Sequence, residues 1–289
     1  MTAFGIRVAA AVALLAVFFA VDASSPQALR KQMELSMVVT GLIDIDADGR
    51  VAHYALDKPE KLPSEIVQLV SMKLPNWKFA TKTIDGKPVG AHAKVALRFV
   101  ASPKGGGDYD IGIRTASFFD DADKENRISV GKRTSIGTLV TALMMSGATG
   151  DVYIALKIGP DGRVMDGIVE QVNLTATGTD AQMAHARKLL GERSLAVLRD
   201  WTFIVPASGE GASKPYWSGV MPLVFRMRNG QPEDGNYGKW HAYLPGPRAN
   251  IPWRNPEDEK NAGGIDALPA GLFSLDGVGP KLLTPLMQG

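Results

Sequence analysis

Three stretches of this sequence have residue types and spacing that could do chemistry. Asp44-x-Asp46-x-Asp48-Gly49 has the alternating carboxylates and the glycine that open a calcium-binding loop. Such a loop needs a bidentate glutamate at its twelfth position, and counting from Asp44 that position is Ala55. Gly131-Lys132-Arg133 resembles the end of a phosphate-binding loop, in which the lysine reaches the phosphates and a following Ser or Thr holds Mg2+. Here Asn126 stands at the first glycine position and Arg133 at the hydroxyl position, so the pattern fails at both ends. Arg133-Thr134-Ser135-Ile136-Gly137 lacks the first glycine of a serine nucleophile elbow, and Ser135 reads as a helix cap. The four histidines, His53, His92, His185 and His241, have no metal-ligand spacing, and each reads as structural. There is no cysteine, which removes thiolate nucleophiles, zinc–thiolate sites, haem attachment and disulfides. With 32 Lys and Arg against 30 Asp and Glu, the chain also lacks the basic excess of a nucleic-acid binder. The expectation is a protein without catalytic residues, metal or cofactor.

What these residues do share is a repeated setting. Ile45-Asp46-Ala47-Asp48-Gly49-Arg50-Val51 matches Ile158-Gly159-Pro160-Asp161-Gly162-Arg163-Val164. Trp77-Lys78-Phe79 then matches Trp201-Thr202-Phe203, Lys87-Pro88 matches Lys214-Pro215, and Val95, Leu97 and Phe99 match Met221, Leu223 and Phe225. Four landmarks in one order indicate an internal duplication. Alternation before each Asp-Gly predicts a strand, and the Asp-Gly itself predicts a hairpin turn, because Asp and Gly tolerate positive φ. Ile66, Leu69, Val70 and Leu74 fall on one helical face, as do Ala186, Leu189, Leu190 and Val197 in the second unit. Ser64 and Asp180 are the expected N-caps. The apolar run Ile136 to Met145 reads as a further core helix. Trp77, Phe79, Trp201, Phe203 and Phe225 are the expected core aromatics. The fold class is therefore α+β: two small domains, each an antiparallel sheet with one main packed helix, followed by an irregular C-terminal tail.

The first 23 residues have the composition of an export signal: Arg7, then the thirteen apolar residues Val8 to Ala20, then Val21-Asp22-Ala23. Thirteen is short of the roughly 20 residues that span a bilayer. The expected boundaries are a signal at 1–23, a first domain at 24–101, a linker at 102–133, a second domain at 134–228 and an extension at 229–289. That extension holds 10 Gly and 8 Pro in 61 residues, yet carries Tyr237, Trp240, Tyr243 and Trp253. Its aromatics predict an extended strap docked on the second domain, with a free arm as the alternative.

The order Asp-Gly-Arg-Val, helix, Trp-x-Phe, Gly-Lys-Pro and a final alternating strand resembles the C-terminal domain of TonB-type energy transducers. Asp85-Gly86-Lys87-Pro88-Val89 is similar to that family's turn. The resemblance implies a periplasmic location and a final edge strand that accepts an extended segment of an outer-membrane receptor. By that implication the peptide-binding edge is Ala93, Lys94, Val95, Ala96, Leu97, Arg98 and Phe99, because Pro222 removes an N–H from the matching strand of the second unit. The expected partners are envelope proteins, outer-membrane receptors among them, with no nucleic acid. A transducer also has a polar residue in its membrane helix and a proline-rich spacer, whereas Val8 to Ala20 has no charge or histidine and no proline-rich run follows. The sequence thus favours a secreted, non-catalytic binding or scaffold protein. A membrane-anchored transducer for outer-membrane transport is the second reading, which requires an uncleaved N-terminal segment.

Overall fold

The protein is described from a computed structural model covering residues 33–105, 108–120, 128–135, 146–207, 212–225, 237–254 and 279–286, with positions 137, 143, 265, 273 and 274. The expected signal at 1–23 lies outside the described residues. The chain is mixed α/β, with mostly antiparallel sheets and two helices described in full.

In the first unit, β1 (Glu34–Ile45) turns at Asp46–Arg50 into β2 (Val51–Leu56), α1 (Ser64–Lys73) follows, and the hairpin β3 (Lys82–Ile84) and β4 (Lys87–Val89) leads into β5 (Ala91–Gly105). A further strand, β6 (Asp108–Asp120), pairs with β5. The second unit begins with the short β7 (Ser129–Val130) and continues as β8 (Gly150–Ile158), β9 (Val164–Leu174), α2 (Asp180–Arg199), β10 (Phe203–Ile204) and β11 (Trp217–Phe225). The tail adds β12 (His241–Tyr243) and β13 (Phe273–Ser274). The first sheet runs β12-β1-β5-β6 with β2 also on β1, and the second runs β13-β11-β8-β9.

The duplication extends to register. In the first unit Ile45 faces Val51, Asp44 faces His53 and Ile43 faces Tyr54, leaving Ala52 as a bulge. In the second, Ile158 faces Val164, Lys157 faces Asp166 and Leu156 faces Gly167, leaving Met165 as the bulge. The last strands agree too: Ile45↔Ala91 and Met37↔Phe99 correspond to Ile158↔Trp217 and Gly150↔Phe225.

Each unit has its own core between one helix and one sheet face. Ile66, Val70 and Leu74 pack on Val39, Ile43, Val95, Leu97 and Phe99. Leu190 and Leu198 pack on Val152, Ile154, Leu156 and Met221. Trp77, Phe79, Trp201 and Phe203 are buried where expected, and Phe225 is half-buried against the second core. The opposite sheet faces are buried as well: Ala96, Arg98, Thr115 and Ser117 on the first, Tyr153, Ala155, Ser218 and Val220 on the second. Phe119 of β6 meets Tyr153 and Val220 between them.

Several expectations need correction. The stretch 102–133 is no simple linker, because β6 and β7 lie within it, and Phe118 of β6 stacks edge-on against both Trp77 and Phe79 in the first core. The tail contains two short strands. The caps sit one residue earlier: Pro63 precedes α1, and Thr179 caps α2 through a capping box with Gln182. Of the expected helix over 136–145, Gly137 and Leu143 are helical and Leu143 is buried; the rest lies outside the described residues.

Candidate functional site

The Asp-Gly turns are built to hold the Trp-x-Phe segments. Gly49 (φ 78°) and Gly162 (φ 73°) each present their carbonyl to the phenylalanine N–H, Phe79 and Phe203, at 2.7 Å in both units. Asp46 Oδ1 accepts the N–H groups of Asp48 and Arg50 at 2.9 and 2.8 Å. The carboxylate that resembled a calcium ligand is therefore engaged by its own turn. Among the described residues no group of three or more His, Asp or Glu could hold a metal ion. His92 pairs with Asp44, which faces it across β1 and β5, a partner the sequence did not reveal. Gly131 and Lys132 bond to the backbone of Thr202, with Gly131 N donating to Thr202 O at 2.9 Å and Thr202 N to Lys132 O at 3.0 Å.

The expected peptide-binding edge is not an edge. Ala93, Lys94, Val95, Ala96, Leu97, Arg98 and Phe99 pair with β1 from Ile43↔Ala93 to Met37↔Phe99. On their other side they pair with β6, from Ala93↔Asp120 to Phe99↔Ile113. The matching strand of the second unit is far less covered. β13 pairs with β11 at Gly219 and Val220 alone, and from Met221 to Phe225 no partner lies on that side among the described residues. Pro222 falls in this stretch, where a missing N–H costs least.

Elsewhere the tail closes the edges with its own backbone. β12 pairs with β1 over Glu34–Ser36. Where β12 stops and β2 has not begun, the Tyr237 hydroxyl accepts from Thr40 N at 3.4 Å and donates to Asp57 O at 2.5 Å. Leu244 and Leu174 exchange both backbone hydrogen bonds, at 2.7 and 3.0 Å, and Ala249 N donates to Glu170 O at 2.7 Å. Glu170 is the residue of a second bulge in β9, which leaves it facing neither β8 partner, Val169 or Gln171 being the paired neighbours. Its carboxylate is fully buried and takes a bidentate pair from Arg254 (2.6 Å to each oxygen) and a further bond from Arg248 Nε at 2.8 Å. The strap therefore docks, but on both units rather than on the second alone: Tyr237 and Trp240 pack on the first core.

A polar cluster fixes the strap at β12. Tyr243 donates to Glu34, which also pairs with Arg114 at 2.5 Å, and the Arg98 guanidinium lies 4.7 Å from the Tyr243 ring centre. Burial pushes the Tyr243 phenol up to about 12; the Arg98 charge opposes the rise and the bond to Glu34 adds to it. The folded chain thus keeps a proton that the unfolded chain loses near pH 10. Stability from this group is intact below pH 10 and is lost as pH climbs towards 12, by about 2–3 kcal/mol in total. Unfolding free energies measured from pH 9 to 12 should show this extra fall in the wild type relative to Tyr243→Phe.

A cleft of about 490 Å3 lies at the N-terminal turn of α2, lined by Ser146, Thr149, Gln182, Met183 and His185 among others. Its polar groups are largely turned inward on the protein: Thr149 and Thr175 bond each other at 2.8 Å, and Gln182 Oε1 accepts from Thr179 N at 2.9 Å. No described helix is long and apolar enough to cross a membrane. Comparison with protein-family models, curated proteins and solved structures finds no match.

Proposed function

We propose that the chain is a non-catalytic binding or scaffold protein of the bacterial periplasm, built from two units like the TonB C-terminal domain, that holds envelope proteins by strand addition. The observation that carries this reading is the end of β11, where Leu223, Val224 and Phe225 are half-buried or exposed beyond the two residues that β13 pairs with. Strand addition asks for backbone donors and acceptors beside a rigid sheet; Pro222 offers no donor, and the residues after it, Leu223–Phe225, are held in place by pairing with Gly150–Val152 of β8. The near-balanced charge supports backbone pairing, rather than electrostatic attraction, as the means of holding a partner. The acceptor lies in the second unit, because β6 fills the corresponding place in the first.

Amide shift mapping tests this. A strand-competent peptide from an outer-membrane receptor should move the backbone amide signals of Leu223–Phe225 and leave those of Ala93–Phe99 in place. Binding with no change along β11, or no binding by any envelope protein in pull-downs from outer-membrane extract, would refute the assignment.

A further inference from the structure

The Trp-x-Phe segments of both units are themselves strand acceptors, and their occupants have unrelated sequences. In the second unit the occupant is Ser129-Val130-Gly131-Lys132: Val130 faces Phe203, and Gly131 N donates to the carbonyl of Thr202, the residue after Trp201. In the first unit the occupant is Lys281-Leu282-Leu283-Thr284 from the tail. Leu282 faces Phe79, Leu283 N donates to the carbonyl of Lys78, the residue after Trp77, at 2.8 Å, and Ala80 N donates to Lys281 O at 2.9 Å. Both are antiparallel and in the same register. Two sequences with little in common thus meet one requirement: extended backbone with an apolar side chain opposite the phenylalanine.

The tail segment is lightly held. Leu282, Thr284 and Leu286 point inward and are half-buried, while Lys281, Leu283 and Pro285 are exposed. Leu282 and Leu286 pack on the first core, and Thr284 Oγ1 accepts from Lys78 N at 2.8 Å. This is a slight attachment beside the twelve paired positions that join β5 to β6. Beneath it lie Trp77, Phe79 and Phe118, an aromatic cluster that needs a cover.

We infer that the groove along Trp77–Ala80 is a second peptide-binding site, that Lys281–Leu286 is its exchangeable plug, and that its partner is an extended protein segment of the pattern apolar-x-Thr/Ser-x-apolar. The site is separate from β11 and does not depend on the assignment made there. The partner's two apolar side chains replace Leu282 and Leu286, and its hydroxyl caps Lys78 N.

The test uses the full chain and a fluorescent peptide corresponding to residues 279–289. The plug-weakened variant Leu282→Asp/Leu286→Asp should bind this peptide at least tenfold more tightly than wild type, with shifts at the amides of Lys78, Phe79 and Ala80. The same peptide carrying both Asp substitutions should not bind. A variant that keeps its helical circular dichroism yet binds no better than wild type would overturn the inference. If the variant does not fold, the 15N-labelled wild-type chain serves instead: excess unlabelled peptide should move the Leu283 amide of the displaced tail to its unfolded position, and an unchanged Leu283 signal at the highest soluble peptide concentration would overturn the inference. Concentration-dependent dimerisation of the wild type that the double substitution abolishes would also overturn it, in favour of exchange between copies of this chain.

Discussion

Glu170→Leu destabilises the protein by about 3–5 kcal/mol, the cost of leaving a buried guanidinium without its carboxylate. Arg254 is 9% exposed as a residue and has both Nη groups on Glu170, so the substitution strands a charge where water cannot replace the partner. Arg254→Met costs less, because Arg248 still neutralises Glu170. The double substitution Glu170→Leu/Arg254→Met recovers most of the loss, since an apolar pair of similar volume is often as stable as a buried ion pair. Urea unfolding of the four proteins checks the cycle. The strap gives a local readout, because the pair is 84 residues apart in sequence and ties the tail to β9. Proteolysis between Tyr237 and Trp253 should be slow in the wild type and fast in Glu170→Leu. Equal stability of wild type and Glu170→Leu would show that the pair does not anchor the strap.

Gly162→Ala is the second large effect, at about 2–4 kcal/mol. Two costs combine there. The residue sits at φ 73°, and a Cβ would come 2.1 Å from Phe203 O, a backbone atom that cannot turn aside. Gly49→Ala should behave alike, with its Cβ 2.2 Å from Phe79 O. Gly86 separates the two costs: it has φ 76° but nothing within 4 Å of a Cβ, so Gly86→Ala should lose only about 1–2 kcal/mol. Thermal unfolding of the three variants measures the difference. If Gly86→Ala proves as damaging as the other two, the close approach of the Asp-Gly turn to Trp-x-Phe is not what fixes these glycines.

That close approach explains why the duplication was legible in the sequence. Asp-Gly and Trp-x-Phe are local signals that also touch each other, so both must persist wherever the unit recurs, and the bulges at Ala52 and Met165 recur with them. β6 was not legible, although its residues carry it. Gly105-Gly106-Gly107 reads as a linker, and the bulge at Arg114 interrupts the alternation: the core side chains are Ile111, Ile113, Ala116 and Phe118, at spacings of two, three and two. Without β6, Ala93–Phe99 looked like a last strand with an open side. The tail was harder still. Its pairings are one to three residues long and have no periodicity of their own, so only the aromatics announced that it docks. Glu170 in an otherwise alternating strand reads as an exposed residue, and nothing nearby in sequence points to Arg254.

Hydrogen–deuterium exchange of the full chain tests most directly whether the sheets accept extended backbone at their margins. The amides of Ala80, Leu174, Leu244 and Leu283 all bond to the tail or belong to it. Each should exchange at least 100-fold more slowly than in the unfolded chain, with Ala80 and Leu283 less protected than Leu174 and Leu244 because their segment is the exchangeable one. Exchange of all four at the unfolded rate, while the β1 and β8 amides stay protected, would show that the margins are open and would contradict strand acceptance by the chain's own tail.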